Sequence, residues 1–250
     1  MLTQLQGCSN AGLSLTKERR KQFLEMYNWI TKNKDIDNIT YQDLQTRLER
    51  DTKSLDDSKV RMFVPYMRKL GFINNSSFDN ANLINLNSFF TKAGLAFAEH
   101  LYLRSDAKEL DNQEVLRELE EADQLFCQYG LVCIIESSEW VYLELLKLLT
   151  RYSHINRIEF FIMTTLKQNV GKPEYLKELD INIDAYRKGD ISEEIPITKH
   201  INAYGYVIPF VEECGLIERK QNRVYINPKK VNTVTKILRY FGQKEGQING

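Results

Sequence analysis

The sequence contains no apolar run long enough to cross a membrane. Its longest runs, such as LELLKLL at residues 143–149, are far shorter than the roughly 20 residues that a spanning helix needs. The stretch LQGC, which ends at Cys8, is preceded by neither a basic start nor an apolar segment, so we do not interpret it as a lipoprotein signal. These absences predict a cytoplasmic protein.

Cysteine and histidine are scarce, with four of the first and three of the second. The cysteines have no paired spacing, and three of them lie inside apolar patterns, as is typical of buried thiols in a reducing compartment. Because the histidines are also far apart in the chain, we predict no zinc site.

Catalytic signatures are missing as well. There is no glycine-rich phosphate loop, metalloprotease helix, nucleophile elbow or Cys-x-x-Cys pair. The nearest match to a nuclease motif is the Glu-x-Lys triplet of Glu218 and Lys220, which has no suitably placed Asp nearby to share Mg²⁺. We predict no catalytic residue, metal site or cofactor on this chain, and Mg²⁺ only if a nuclease domain belongs to the full protein.

The chain is long enough for two domains, each with a core of its own, because it has 250 residues of which 42% are hydrophobic and 27% charged. The net charge is zero but unevenly spread. Residues 1–104 have 15 Lys and Arg against 11 Asp and Glu, residues 105–150 have 3 against 11, and residues 151–250 have 16 against 12. An acidic middle segment therefore separates two mildly basic ones.

One phrase occurs twice, as VPYMRKLGFI at residues 64–73 and as IPFVEECGLI at residues 208–217. The repetition predicts two copies of one structural unit. Pro65 and Pro209 lie within helical patterns in the two phrases, where a proline removes one backbone hydrogen bond and kinks the helix. The alternative is a helix that begins only at Pro65.

The first copy opens with three predicted helices, over residues 18–31, 41–50 and 58–70, because their apolar residues recur with helical period. Thr40 is placed to cap the second helix. Gly71 is placed to end the third in a left-handed conformation.

Two short apolar runs follow, at residues 72–73 and 83–86, on either side of a polar tip, and they predict a β-hairpin. A final helix is predicted over residues 91–103. Three helices, a hairpin and a helix are the element order of a winged helix-turn-helix domain.

The second copy is predicted to start with a helix over residues 155–167, followed by a second that Pro173 opens. The third helix is predicted over residues 197–214. The run LIERKQNRVYIN at residues 216–227 predicts a hairpin with a basic tip, and residues 230–240 a closing helix. The predicted fold is mainly α with small β-hairpins (α+β).

Residues 106–149 are predicted to form two helices between the copies, the first of them rich in acids. We therefore expect a winged-helix domain at residues 1–104, an acidic helical spacer at residues 105–150 and a second winged-helix domain at residues 151–250.

A winged helix can place its third helix in the major groove of double-stranded DNA and its hairpin along the backbone. We expect Arg61 to bind guanine through two hydrogen bonds and Asn202 to suit adenine. The predicted DNA-contacting residues of the two third helices are Ser58, Lys59, Arg61, Met62, Thr198, Lys199, His200 and Asn202. The residues predicted to bind phosphates are Arg19, Arg20, Lys21, Arg219, Lys220 and Arg223.

The organisation resembles the target-recognition region of type IIS restriction endonucleases, which are strings of winged-helix modules. The resemblance is carried by LGFI at residues 70–73, CGLI at residues 214–217, TKAGLA at residues 91–96 and LLKLLTRYSHINRIEFFIMTTL before the second module. It implies that this chain binds a specific DNA sequence. Such enzymes also have a nuclease domain with an Asp and a Glu/Asp-x-Lys, which we do not find here, so cleavage would come from another segment or a partner subunit.

Two other interpretations remain open. Plasmid replication initiators and transcription regulators also use paired winged helices. Winged-helix subunits of chromosome-condensing complexes use the same faces to bind partner polypeptides, and the acidic middle segment and zero net charge favour this third interpretation.

Overall fold

The computed structural model describes residues 2–9, 12, 14–36, 39–75 and 83–248. Within these residues the protein is mainly helical with a few short strands, which confirms the predicted α+β class. Residues 76–82, the predicted tip of the first hairpin, lie outside the description. No helix among the described residues has both the length and the apolar character needed to span a bilayer.

The chain forms two compact units. Leu15–Ser137 forms the first, here called the central unit, and Met1–Ser14 together with Ser138–Gly250 forms the second, here called the outer unit. The elements, in chain order, are β1 (Leu5–Gln6), α1 (Lys17–Lys32), β2 (Ile39–Thr40), α2 (Tyr41–Asp51), α3 (Asp57–Lys69), β3 (Leu83–Ile84), α4 (Lys92–Glu109), α5 (Gln113–Glu136), α6 (Trp140–Tyr152), β4 (His154–Ile155), α7 (Arg157–Asn169), α8 (Lys172–Lys188), β5 (Ile197–Lys199), α9 (Ala203–Glu213), β6 (Ile217–Lys220), β7 (Arg223–Ile226) and α10 (Val231–Ile248).

The first helices of the central unit form where the sequence pattern places them. α1 buries Phe23, Met26 and Ile30 on one face, as its helical period predicts. The side chain of Thr40 accepts a hydrogen bond from the Asp43 backbone at 3.0 Å, which confirms the predicted cap of α2.

α3 ends at Lys69 with Leu70 as its C-cap residue, and Gly71 follows in the predicted left-handed conformation. The φ angle of Gly71 is +73°, and a Cβ atom there would lie 2.8 Å from both Cys133 Sγ and the Tyr129 hydroxyl. The left-handed backbone and the lack of space both require glycine at this position. Pro65 lies inside α3, so the alternative in which the helix begins at Pro65 is wrong.

The two apolar runs predicted to pair as the first hairpin pair with other segments. β3 pairs antiparallel with β2, with Ile39 opposite Ile84, whereas Ile73 forms an isolated bridge with Phe90. The sequence pattern identifies short extended runs but not their partners, and β2 was too short to predict.

The outer unit contains a three-stranded antiparallel sheet in the order β4-β7-β6 and a separate parallel pair of β1 and β5. β6 and β7 form the predicted basic hairpin. The prediction of one helix over residues 197–214 is wrong at its start, because Ile197–Lys199 is the strand β5, and α9 begins only at Ala203. Pro209 lies inside α9.

The two units share an order of elements. In the central unit α1, β2, α2, α3, β3 and α4 follow one another, and in the outer unit α6, β4, α7, α9, β7 and α10 do so. In both, the strand before the second helix pairs with the last strand, β2 with β3 and β4 with β7. The outer unit differs by containing α8 and β5 between its second and third shared helices, and β6 between α9 and β7.

This order corrects the alignment of the two copies. The helix predicted over residues 155–167 occupies the second place rather than the first, and α6, predicted as part of the spacer, occupies the first. The segment at residues 105–150 is divided between the units, since α5 packs against α4 and α3, and α6 packs against β4 and α7. The boundaries between the units fall near residues 14 and 137, whereas the sequence predicted boundaries at residues 104 and 150.

Candidate nucleic-acid interface

The β6–β7 hairpin is a basic feature of the outer unit. Arg219, Lys220 and Arg223 are all exposed at its end. Arg219 forms an ion pair with Glu212 of α9, and Lys220 Nζ lies 2.6 Å from Glu218 Oε1. Arg223 forms no ion pair with any described residue, so its charge is the one most available to a ligand.

The segment before α9 places the predicted contact residues differently from the expectation. Thr198 and Lys199 belong to β5, and His200 lies in a turn with a φ angle of +48°. Asn202 is the N-cap residue of α9, without a side-chain cap hydrogen bond. These four residues are exposed, but they are not on a helix face as predicted, because β5 pairs with β1 from the distant start of the chain.

Four of the predicted DNA-contacting residues lie on the exposed face of α3 in the central unit. Ser58, Lys59, Arg61 and Met62 are all exposed there, and Met62 has an exposed fraction of 60%. Two cations on this face have acidic partners in the same element or its cap: Arg61 Nη2 lies 3.0 Å from Asp57 Oδ2 and Lys59 Nζ 3.0 Å from Asp56 Oδ2.

The basic run at the start of α1 is only partly available. Lys21 is exposed and Arg19 half-buried. The prediction that Arg20 binds phosphate is wrong, because its guanidinium pairs with the buried Asp123 of α5, and its Nε donates to the Leu15 carbonyl at 2.6 Å.

Asp123 is the centre of a buried polar cluster in the central unit. Besides Arg20, Arg104 Nη1 lies 3.0 Å from its Oδ2, and His100 Nε2 lies 3.2 Å from its Oδ1. Burial raises the pKa of Asp123, but the hydrogen bond from His100 and the charge of Arg20 outweigh it, so the pKa lies below its ordinary value. The cluster joins α1, α4 and α5.

Three neighbouring clefts, here called the cationic groove, cross the outer unit. The first has a volume of about 630 Å³ and lies at the C-terminal end of α8, where Arg187 and Lys188 line it. The second, of about 470 Å³, shares Tyr186 and Arg223 with the first. The third, of about 390 Å³, shares Arg157 and Tyr204 with the second. The groove therefore connects α8, the basic hairpin and the start of α9.

The charge balance of the groove is positive. The acid Glu159 is buried and its Oε1 lies 2.6 Å from Arg187 Nε, so this pair is neutral. Arg157, Lys188 and Arg223 form no ion pair with any described residue, and Glu193 is the acid that remains at the groove.

The cations of the groove affect the pKa values of two side chains that line it. Burial, Arg187 and Arg223 together lower the pKa of His154, which lines the first cleft. Burial raises the pKa of Tyr204, while Arg219 and Arg157 oppose that change. Burial is the largest cause of each shift, and the contributions of the arginines have the sign expected for nearby positive charge.

Sequence patterns did not predict the groove. Arg157 and Arg187 were missed because their position depends on tertiary contacts, and α8 brings Arg187 to Glu159 across 28 positions of the chain. The one available signal was Asn156-x-x-Glu159, a capping box that predicts a helix starting at Arg157.

The described residues contain no group of three or more His, Cys, Asp or Glu side chains that could hold a metal ion. Comparison of the sequence with protein-family models and with curated proteins gave no match in either case.

Proposed function

We propose that both units are winged helices and that together they bind double-stranded DNA in a sequence-specific manner. In each unit the helix before the last strand, α3 or α9, would lie in the major groove. The shared order of elements supports this proposal, as does the pairing of β2 with β3 and of β4 with β7.

The observation that carries the proposal is the position of the basic hairpin. β6 and β7 directly follow α9 and expose Arg219, Lys220 and Arg223. A hairpin next to a recognition helix reaches the adjacent phosphates when the helix occupies the groove, and cations there supply affinity without sequence information.

Base recognition is proposed for the exposed face of α3. Arg61 would donate two hydrogen bonds to a guanine edge and would exchange Asp57 for the base when it does so. Met62 would contact a thymine methyl group, and Ser58 and Lys59 the flanking positions. In the outer unit Asn202 would take the corresponding role.

We further propose that this DNA binding serves a restriction system, as the resemblance to type IIS enzymes implies. The chain would then recognise the target, and a nuclease domain or subunit would cleave it with Mg²⁺. A replication initiator or transcription regulator would use the same faces on inverted or repeated sites.

One observation favours a different function, the binding of a partner protein. Four exposed cations of the predicted DNA-binding faces already have acidic neighbours: Lys59, Arg61, Arg219 and Lys220. These ion pairs lower the positive potential that a polyanion would meet. A winged-helix subunit of a chromosome-condensing complex would have such mixed faces.

Selection of binding sites from random duplexes distinguishes these functions. We expect one asymmetric motif for restriction-type recognition, an inverted or repeated motif for a regulator, and no motif for a protein-binding subunit. The Arg61→Ala variant should lose about 1–3 kcal/mol and relax one base position, whereas Lys220→Ala should weaken binding to all sequences alike. Uniform weakening by both variants would contradict the role of Arg61.

A further inference from the structure

The cationic groove extends the candidate interface beyond the parts that the two units share. Its first cleft is formed by α8, which has no counterpart in the central unit. Its second cleft lies beside the basic hairpin, and its third reaches Asn202 and Tyr206 at the start of α9. A linear ligand that follows the groove would thus pass from α9 to the end of α8.

The chemistry of the groove fits a chain of phosphodiesters. Arg157 and Arg223 face the middle cleft and Lys188 the first, and all three are exposed and without an ion pair among the described residues. Two neutral amide side chains, Asn156 and Asn222, line the same clefts, and Asn156 already donates to the Tyr186 hydroxyl at 2.8 Å. Separated cations together with amide groups bind successive phosphates and sugars without reading bases.

The alternatives fit less well. A flat aromatic ligand would need exposed rings in the two larger clefts, but there Tyr186 is buried, and Tyr204 is half-buried with its ring packed 5.4 Å from that of Phe160. The exposed ring of Tyr206 lies only at the smaller third cleft. An apolar peptide would need an apolar lining, whereas charged and amide side chains dominate the two larger clefts. A cationic ligand is opposed by the excess of arginine and lysine.

We propose that the cationic groove holds one sugar–phosphate strand of the bound DNA, and that α8 lengthens the contact by taking phosphates beyond the reach of the hairpin. This inference rests on the proposed function, because it assumes that the partner is DNA. It assigns Arg157, Lys188 and Arg223 to phosphate binding, of which only Arg223 was expected from the sequence.

The test is the salt dependence of duplex binding. For a protein that neutralises Z phosphates of double-stranded DNA, the slope of log K against log salt concentration is about −0.9 Z. Lys188→Ala and Arg223→Ala should each lower affinity for specific and random duplexes alike and reduce the magnitude of the slope by about 0.9. The double variant should reduce it by about twice that amount.

Two control variants distinguish the loss of a cation that lines the groove from the loss of any exposed cation. Lys177 is also exposed on α8 but does not line the groove, and Arg117 is exposed on α5 of the central unit. Lys177→Ala and Arg117→Ala should leave the slope as in the wild type. Thermal unfolding followed by circular dichroism checks that every variant is folded.

The outcomes distinguish this inference from the proposed function. If the wild type binds duplex DNA but Lys188→Ala behaves like Lys177→Ala, the groove inference is overturned and DNA binding stands, whatever the result for Arg223→Ala, because the hairpin alone accounts for Arg223. If the wild type binds no duplex from the random pool at low salt, both proposals are overturned. If the slope is reduced in Lys188→Ala and Arg223→Ala but not in the two control variants, the result supports both DNA binding and the groove inference.

Discussion

Pro65 and Pro209 lie at the same distance along the chain from the C-cap residues of their helices, Leu70 and Cys214. Each is inside a helix, where proline has no N–H to donate to the carbonyl four residues earlier. α3 and α9 therefore lack the corresponding backbone hydrogen bond at the same distance from their C-cap residues.

Replacing Pro65 by Ala should stabilise the protein, because alanine restores a donor for the Arg61 carbonyl. The free energy of unfolding should rise by up to about 3 kcal/mol, the usual penalty of a proline in a helix interior. Pro173→Ala is the control, since Pro173 lies in the first turn of α8, where proline is tolerated. The expectation would be contradicted if urea unfolding gave Pro65→Ala a free energy of unfolding equal to or lower than that of Pro173→Ala.

Replacing Asp123 by Asn should destabilise the central unit strongly. The change leaves the Arg20 and Arg104 guanidinium groups without their buried carboxylate, and the loss of one partner from a buried ion pair costs about 3–5 kcal/mol. Asp57→Asn, which breaks the exposed pair with Arg61, should have a much smaller effect. Equal midpoints of thermal unfolding for the two variants would show that the cluster has no such role.

The same carboxylate makes stability depend on pH. The pKa of Asp123 is lower in the folded protein than its ordinary value of about 3.9, so the unfolded chain takes up the proton more readily. Its contribution is therefore fully present above pH ~4 and is lost as the pH falls through the folded pKa. Wild type and Asp123→Asn should differ in stability at pH 6 and converge as the pH is lowered below 4, as measured by thermal unfolding.

Replacing Gly7 by Ala should disrupt the attachment of β1. A Cβ atom on Gly7 would overlap the His200 carbonyl oxygen and press on the Ala203 side chain at the start of α9. Gly205→Ala is the control, because a Cβ there meets nothing within 4 Å, and alanine should stabilise α9 by about 0.5–1 kcal/mol. Hydrogen exchange at β5 and at the first turn of α9 should accelerate in Gly7→Ala and not in the control.

Local patterns predicted the helices of the central unit better than those of the outer unit. α1, α2 and α3 have apolar stripes of helical period and clear end signals at Thr40 and Gly71, so neighbouring residues determine them. The error at residues 197–199 arose because a short β-branched run followed by a helix reads as one helix. Its strand character depends on β1, whose Leu5 lies 193 residues from Thr198.

In the candidate site, too, local sequence predicted some features, and contacts between distant residues determine the others. The exposed face of α3 and the β6–β7 hairpin follow from local period and turn residues, and both are where the sequence predicts them. Arg20 was misjudged because its partner Asp123 is 103 residues away. The cationic groove was missed because it depends on how α8 packs against α7, which no local pattern encodes.

The parallel pairing of β1 with β5 imposes an order of events on biosynthesis. Leu5 leaves the ribosome long before Thr198, and 193 residues of translation at typical rates take roughly 10 to 40 s. The intervening chain includes all of the central unit, whose elements are complete by Ser137. The central unit can therefore fold while β1 of the outer unit is still without its partner strand β5.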